Sequence, residues 1–246
     1  MKEKVVIGIP SGGSVHTRFM MSLLKLQQWE SQNPNDRYEL VDVFGRTGLY
    51  IQENRNNLVK DAQERKADWL LQLDPDHSFD PNFLQIIMRD AKKGGKEAIF
   101  GLYSNIGTIR HNGSFDVIDC IYRETEDGKY QNISIKDNAQ IVEVDAAGTG
   151  LFLSHLSIYD RIPYPWFWVM LFQNDDGTEQ MMNEDLSFCR FARSNGIRLW
   201  CDPLAEAHHH KTVPLLPSTM RSFLQNVNEQ KVAMGANIGP KLEIRK

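Results

Sequence analysis

The first hundred residues alternate between short strand-like segments and longer amphipathic segments, and this alternation limits the possible folds more than any other feature. The strand-like segments, rich in β-branched and other apolar residues, are 4–9, 38–44, 69–73 and 97–103. Apolar residues at helical spacing predict intervening helices around 19–26, over 54–67, and from Asp80-Pro81 to Gly94-Gly95. A β-α-β-α-β-α-β order is typical of a parallel sheet with helices on both faces. We therefore predict an α/β fold with a mostly parallel central sheet.

The second half of the chain continues without an obvious domain boundary. Residues 183–196 predict a helix, since Asn183 can cap its start and Asn195-Gly196 can end it. Residues 217–234 predict an amphipathic helix. Because no low-complexity linker interrupts the chain, we predict one domain, residues 1–212, followed by a C-terminal helical tail, residues 213–246.

Composition excludes several classes of protein. The 246 residues carry a formal net charge of −4, which predicts no broad basic surface and no stable binding of nucleic acid. The three cysteines are too few and too widely spaced for a disulfide framework, which indicates a reducing compartment. The most apolar stretch, 163–172, is about half of the ~20 residues that a membrane span requires. We therefore expect a soluble, cytoplasmic protein, with its oligomeric state left open.

The segment WLLQLDPDHSF, residues 69–79, ends an apolar strand on two aspartates, Asp74 and Asp76. Desolvating a carboxylate is costly unless a partner compensates. At the carboxyl end of a strand in a parallel sheet, where ligands usually bind, a divalent cation is a good candidate partner. An ordinary surface turn, in which Asp and Pro are common, is the alternative.

Three further groups of residues have both a functional and an ordinary interpretation. His208, His209 and His210 could supply a metal ligand or form a polar loop; in an extended segment His208 and His210 would share a face. Glu184-Asp185 could be a general base or only complement a helix dipole. Gly148-Thr149-Gly150 could let backbone amides approach a ligand or form an empty turn.

The order of these motifs resembles that of nucleotide-sugar-dependent glycosyltransferases with the GT-A fold, particularly short family-2-like enzymes of phage and bacterial genomes. The matching segments span residues 4 to 211: VVIGIPSGG, ENRNNLVKDA, WLLQLDPDHSF, AAGTGLFLSH, MNEDLSFCRFARSNGIRLWCDP and AHHHK. The resemblance implies a Rossmann-like sheet with a nucleotide-binding half, residues 1–103, and an acceptor and sugar half, residues 104–212. Residues 104–145 match nothing in the family pattern and are expected to shape the acceptor site.

The resemblance also implies a metal site, with Mn²⁺ or Mg²⁺ as the cofactor. Asp76, the second residue of the Asp-x-Asp (DXD) motif, would bind the cation directly. Asp74 would lie beside it, toward the ribose or the metal's waters. His208 would be the late metal ligand, with His210 as the alternative.

The remaining roles follow from the same resemblance. Asp185 would deprotonate an acceptor hydroxyl, with Glu184 as its neighbour or its alternative. The residues expected near the nucleotide are Pro10, Ser11 and Arg55, and those expected beside the donor sugar are Gly148 and Thr149. The implied activity is that of a hexosyltransferase, which moves a sugar from a nucleoside-diphosphate sugar, UDP-linked by expectation, to an acceptor hydroxyl with inversion.

Other functions compete with this hypothesis. A sugar-phosphate nucleotidyltransferase has a similar α/β plan, but PSGGSVHTRF lacks the Gly-rich loop followed by Arg and Lys that such enzymes carry. A non-catalytic glycan- or nucleotide-binding protein of the same fold would not need a base. A purely structural protein would bind no nucleotide in a metal-dependent way.

Overall fold

The computed structural model describes residues 2–109, 115–135, 140–173, 177 and 179–211. The chain forms two compact units: Met1–Ser104 with Asp119–His210, and Asn105–Ile118 with Lys211–Lys246. The central sheet and its helices belong to the first unit, whereas most of β6 and β7 belongs to the second. The predicted helix at 217–234 and the predicted tail lie outside the described residues.

The described residues form fifteen strands, four α-helices and a 3₁₀ turn at Leu156–Asp160. The helices are α1 (Thr17–Gln32), α2 (Ile51–Glu64), α3 (Phe83–Ile87) and α4 (Glu184–Ser194). The strands are β1 (Glu3–Ser11), β2 (Tyr38–Thr47), β3 (Trp69–Leu73), β4 (His77–Phe79), β5 (Ala98–Leu102), β6 (Ser104–Ile109), β7 (Phe115–Asp119), β8 (Ile121–Glu124), β9 (Tyr130–Asn132), β10 (Val142–Val144), β11 (Ala146–Ala147), β12 (Leu151–His155), β13 (Met170–Gln173), β14 (Glu179–Met182) and β15 (Leu199–His209). None of the helices within these residues is long and apolar enough to cross a membrane.

The central sheet has the order β10-β15-β5-β12-β3-β1-β2, and β4 pairs with the far end of β15. Five of its strands run in one direction, because β1 is parallel to β2 and β3, β5 is parallel to β15, and β12 is antiparallel to both β3 and β5. The prediction of a mostly parallel α/β sheet is therefore confirmed.

The antiparallel strand β12 was not anticipated. The Asp74 amide donates to the Gly150 carbonyl (2.8 Å), so the turn before β12 lies at the carboxyl end of β3. A chain that enters the sheet from that edge must run in the opposite direction to its neighbours. The side chains of β12 alternate between the two faces and are almost all buried, so burial alone could not reveal its direction.

Helices cover both faces of the sheet, as predicted. Alternate residues of the buried strands point into two separate apolar clusters. One cluster packs α2 and α4 against the first face, through Leu58, Val59, Phe188 and Ala192. The other packs α1 and α3 against the second face, through Phe19, Leu23, Phe83 and Ile87.

The boundaries of two helices show how well local signals predict structure here. The Asn183 side chain accepts a hydrogen bond from the Leu186 amide (3.1 Å), and Gly196 follows α4 with φ +76°, so both predicted ends are confirmed. The prediction for α3 was wrong at both ends, since the helix stops at Ile87 rather than at Gly94-Gly95. That helix begins at Phe83 after Asn82, whose side chain makes no capping bond, rather than at Asp80-Pro81.

Candidate functional site

The turn that follows β3 holds the two aspartates of the DXD motif in different surroundings. All five residues of β3 are buried, and the chain leaves the sheet at Asp74. The His77 amide donates to the Asp74 carbonyl (3.2 Å), and the His210 amide donates to the Asp76 carbonyl (2.8 Å). These bonds tie the turn to the end of β15, so the sheet edge fixes the positions of both carboxylates.

Asp74 faces a buried arginine. Arg55, on α2, is 1% exposed, and its Nη2 donates to Asp74 Oδ2 (3.0 Å). Its Nη1 donates to the Thr149 carbonyl (3.3 Å). A guanidinium cannot lose its charge in a protein, so Arg55 is a permanent positive neighbour of Asp74.

Two more carboxylates complete what we call the acid–arginine cluster: Arg55, Asp74, Thr149, Glu184 and Asp185. Glu184 Oε1 lies 3.7 Å from Arg55 Nε, and Asp185 Oδ1 lies 3.8 Å from Arg55 Nη2. The Thr149 hydroxyl donates to Asp185 Oδ1. The first turn of α4 thus contributes both acids, and the cluster joins three carboxylates to one cation.

Burial and the neighbouring charges change the pKa values of these groups. Burial, reinforced by the charge of Asp185, raises the pKa of Glu184 to about 7. Burial also raises the pKa of Asp185, although Arg55 and Thr149 oppose that change. Burial alone would lower the pKa of Arg55, but the carboxylates around it raise that pKa. Both carboxyl groups of the α4 pair therefore have pKa values raised from those of ordinary carboxyl groups.

Asp76 faces two histidines instead, in what we call the carboxylate–imidazole cluster: Asp76, His77 and His209. Asp76 Oδ1 lies 3.1 Å from His77 Nδ1, and Asp76 Oδ2 lies 3.1 Å from His209 Nε2. The two imidazole rings are stacked, with centroids 4.3 Å apart. Among the residues that the structure describes, these three form the one group whose possible metal-ligating atoms lie within 4.8 Å of one another.

The hydrogen bonding of the two imidazoles fits a cation. The Ser104 carbonyl can only accept, so its 3.1 Å contact with His209 Nδ1 places the proton on that nitrogen. In the neutral ring, His209 Nε2 then presents a lone pair to Asp76 Oδ2. His77 is 1% exposed, and neither of its ring nitrogens has a hydrogen-bond partner among the described residues. A cation shared by Asp76 and the two rings would relieve this contact between lone pairs.

The other two histidines of the run lie elsewhere. In the β4–β15 pairing, His209 is opposite His77 and His208 is opposite Ser78. The His208 side chain is exposed, while His210 Nε2 lies 2.7 Å from Ser78 Oγ. Alternation along a strand therefore places the middle histidine, rather than His208 or His210, beside Asp76.

A groove beside the turn is the place where a nucleotide could bind. It has a volume of about 460 Å³ and is lined by Pro10, residues 12 and 14–16, Ile51 and residues 74–76. Ser11 is buried beneath it, where its hydroxyl donates to the Ser14 carbonyl and accepts from the Gly13 amide. Pro10 thus lines the groove, whereas Ser11 shapes the loop that forms one wall.

The Gly148-Thr149-Gly150 segment is buried against protein side chains. A Cβ atom at Gly148 would overlap the Tyr103 hydroxyl, and one at Gly150 would lie 2.8 Å from His77 Cε1. Thr149 is fully buried and bonds to Asp185 and Arg55. These contacts support the two clusters directly, and contact of Gly148 or Thr149 with a donor sugar stays a prediction.

Two residues of the site, His77 and Tyr103, were not predicted from the sequence, and the choice of metal ligand among His208, His209 and His210 was left open. His77 follows Asp76 immediately, so its position in DPDH was an available signal. His209 could have been chosen only with the pairing of β4 and β15. Tyr103 ends a strand-like segment and looks like an ordinary core residue; burial raises its pKa, which keeps its phenol neutral.

Comparisons with known proteins agree with this architecture. No family model and no curated protein matches the sequence. Among solved structures, GalNAc-T7 with UDP, GalNAc and Mn²⁺ is 13% identical, with a TM-score of 0.52 over 90% of this chain and 47% of that chain. A197 from STIV is 18% identical, with a TM-score of 0.49 over 86% of this chain and 87% of that chain.

The fold is therefore that of GT-A glycosyltransferases, a mixed α/β architecture with a large, mostly parallel central sheet flanked by helices. The chain spans about half the length of the GalNAc-T7 chain. Assignment to family-2-like or phage-type enzymes stays a prediction.

Proposed function

We propose that this protein is a metal-dependent glycosyltransferase that moves a sugar from a nucleoside-diphosphate sugar to an acceptor hydroxyl, with inversion. One observation carries the proposal. A carboxylate–imidazole cluster suited to a cation and a cluster of proton-exchanging carboxylates meet at the Asp74–His77 turn, at the carboxyl edge of the sheet. A binding protein of the same fold would need the first cluster but not the second.

The groove and the carboxylate–imidazole cluster would hold the donor. Asp76, His77 and His209 offer the oxygen and nitrogen ligands that Mn²⁺ accepts. A divalent cation held there would supply the positive charge that stabilises a departing nucleoside diphosphate. Pro10 and the loop that follows it would form the wall along the nucleotide.

The acid–arginine cluster would serve the acceptor. Asp185 would take the proton of the acceptor hydroxyl as the hydroxyl oxygen bonds to the anomeric carbon. The bond from that carbon to the β-phosphate oxygen breaks in the same step, and the nucleoside diphosphate leaves with the electron pair. Attack opposite the leaving group inverts the anomeric configuration. Arg55 and Thr149 would keep the Asp185 carboxylate oriented, and Glu184 is the alternative base.

UDP is the first nucleotide to test, because GalNAc-T7, a protein of the same fold, was solved with UDP, GalNAc and Mn²⁺. At 13% identity that likeness shows the fold alone, so other nucleotides belong in the same screen.

The decisive experiment is calorimetric titration of the protein with UDP, GDP and their sugar conjugates, first with Mn²⁺ and then with EDTA. We expect micromolar binding of one nucleoside diphosphate that requires Mn²⁺. Asp76→Asn should abolish that binding. Asp185→Asn should preserve it but stop transfer to water or to a sugar acceptor.

Asp160→Asn is the matched control, since Asp160 is an exposed carboxylate beyond the opposite end of β12. It should behave like the wild type. Absence of nucleotide binding by folded wild-type protein would overturn the proposed function. Full transfer activity of Asp185→Asn would overturn the assignment of the base.

A further inference from the structure

Tyr103 touches both imidazoles of the carboxylate–imidazole cluster without offering a ligand to it. Its ring stands nearly perpendicular to both: its centroid lies 4.5 Å from that of His77, at 80°, and 5.3 Å from that of His209, at 86°. The Tyr103 side chain is buried, with the residue only 8% exposed. One aromatic ring therefore abuts the stacked pair from the side.

Two glycines make this arrangement possible. A Cβ atom at Gly148 would overlap the Tyr103 hydroxyl, and one at Gly150 would lie 3.2 Å from Tyr103 Cζ and 2.8 Å from His77 Cε1. The backbone here has little freedom to yield. The Gly148 amide donates to the Cys120 carbonyl, and the Cys120 amide donates to the Tyr103 carbonyl, each at 2.9 Å.

The residue after Tyr103 acts on the same imidazoles. The Ser104 carbonyl accepts from His209 Nδ1, so it holds the ring with Nε2 toward Asp76. The 103–104 segment therefore restrains the His209 ring by packing and by a hydrogen bond. His77 has no hydrogen-bond partner on its ring nitrogens among the described residues, and it is positioned by its 3.1 Å contact with Asp76 and by packing against His209 and Tyr103.

We propose that Tyr103, with the space left by Gly148 and Gly150, is a positioning residue that holds His77 and His209 in the orientation in which they bind a divalent cation. This inference rests on the metal site of the proposed function. Its physical basis is preorganisation: a ring that is already oriented loses less conformational freedom when it binds. Residues that orient metal ligands typically contribute 10- to 100-fold to metal affinity.

The test is the affinity of the full-length protein for Mn²⁺ alone, measured by calorimetry and by electron paramagnetic resonance. Tyr103→Phe keeps the ring and should bind Mn²⁺ within about threefold of the wild type. Tyr103→Leu loses the edge contacts and should bind about 10- to 100-fold more weakly. Tyr159→Leu is the matched control, because Tyr159 is also a buried tyrosine. Its ring packs on Trp166 and Phe188, and its hydroxyl bonds to Ser154 and Gln72. The control should leave Mn²⁺ affinity unchanged.

Gly148→Ala provides an independent variant that leaves every ligand in place and displaces only the tyrosine. Its affinity for Mn²⁺ should also fall at least tenfold, with the circular dichroism spectrum of the wild type retained. If Tyr103→Leu does not fold, this variant decides the question.

Mn²⁺ binding distinguishes an error in the metal site from an error in the role of Tyr103. If the wild type does not bind Mn²⁺, the proposed metal site is wrong and this inference falls with it. If the wild type binds Mn²⁺ and folded Tyr103→Leu or Gly148→Ala binds it equally well, the metal site stands and the role of Tyr103 is overturned.

Discussion

Asp74 and Asp76 are two residues apart, yet their carboxylates have different neighbours. Asp74 lies against Arg55, whose charge is permanent, in a cluster that also contains Glu184 and Asp185. Asp76 lies between His77 and His209, whose rings carry charge only when protonated. The first arrangement contains a permanent positive charge, whereas the second places imidazole rings opposite its carboxylate.

This difference separates two tasks at one sheet edge. The acid–arginine cluster holds three carboxylates around a fixed charge, which stabilises the fold and tunes their proton affinity. The carboxylate–imidazole cluster holds one carboxylate between two stacked imidazole rings, the arrangement that we propose binds a cation. Three predictions test whether this division is correct, from the largest expected effect to the smallest.

Arg55→Met should have the largest effect and should act on stability. It leaves Asp74, Glu184 and Asp185 without their shared cation, and breaking a buried ion pair in this way costs about 3–5 kcal/mol. Urea unfolding at pH 7.5 measures the loss. The deficit should shrink at pH 5, because burial raises the pKa values of Glu184 and Asp185, so these two carboxyl groups take up protons more readily as pH falls.

Arg65→Met is the control for that variant, since Arg65 pairs with Asp42 at a largely exposed site. It should cost at most about 1 kcal/mol. Equal losses from the two substitutions would show that the acid–arginine cluster is not the stabilising unit described here.

His209→Ala should have the next largest effect and should act on metal affinity. We expect Mn²⁺ to bind at least about tenfold more weakly, since a ligand contributes no less than the residues that orient it. His208→Ala should bind Mn²⁺ as the wild type does, because the His208 side chain is exposed on the opposite side of β15. Calorimetric titration of both variants decides between the two histidines, and the reverse result would restore His208 as the metal ligand.

Glu184→Gln should have the smallest effect, on the pH dependence of stability. The pKa of Glu184 is about 7 in the folded protein, above the value of about 4.3 expected for an unfolded chain. The folded state therefore holds the proton more tightly, so the free energy of unfolding falls as pH rises between these two values.

The Glu184→Gln variant lacks that titration, so it should be more stable than the wild type at pH 8. The difference should vanish near pH 4. Parallel unfolding curves at both pH values measure it, and a variant that is less stable at pH 8 would show that Arg55 outweighs burial at Glu184.

Local signals in the sequence predicted much of the fold and part of the site. The alternation of residues 4–103 specified the strands and helices because period-2 and period-3.6 patterns reflect which side chains each element buries. Asn183 and Gly196 predicted the ends of α4 for an equally local reason. Arg55, Asp74, Thr149 and Asp185, chosen separately as site residues, do lie together, since they sit at or near one edge of the sheet.

The sequence by itself thus determined the alternation of strands and helices over residues 4–103, the helix α4, the class of the sheet and the edge at which charged residues collect. Only the tertiary structure decided that β12 runs antiparallel, that the middle histidine faces Asp76, and that Gly148 makes room for Tyr103. Each of these depends on pairing between segments far apart in the chain. A period within one segment shows which residues share a face, but not which partner that face will meet.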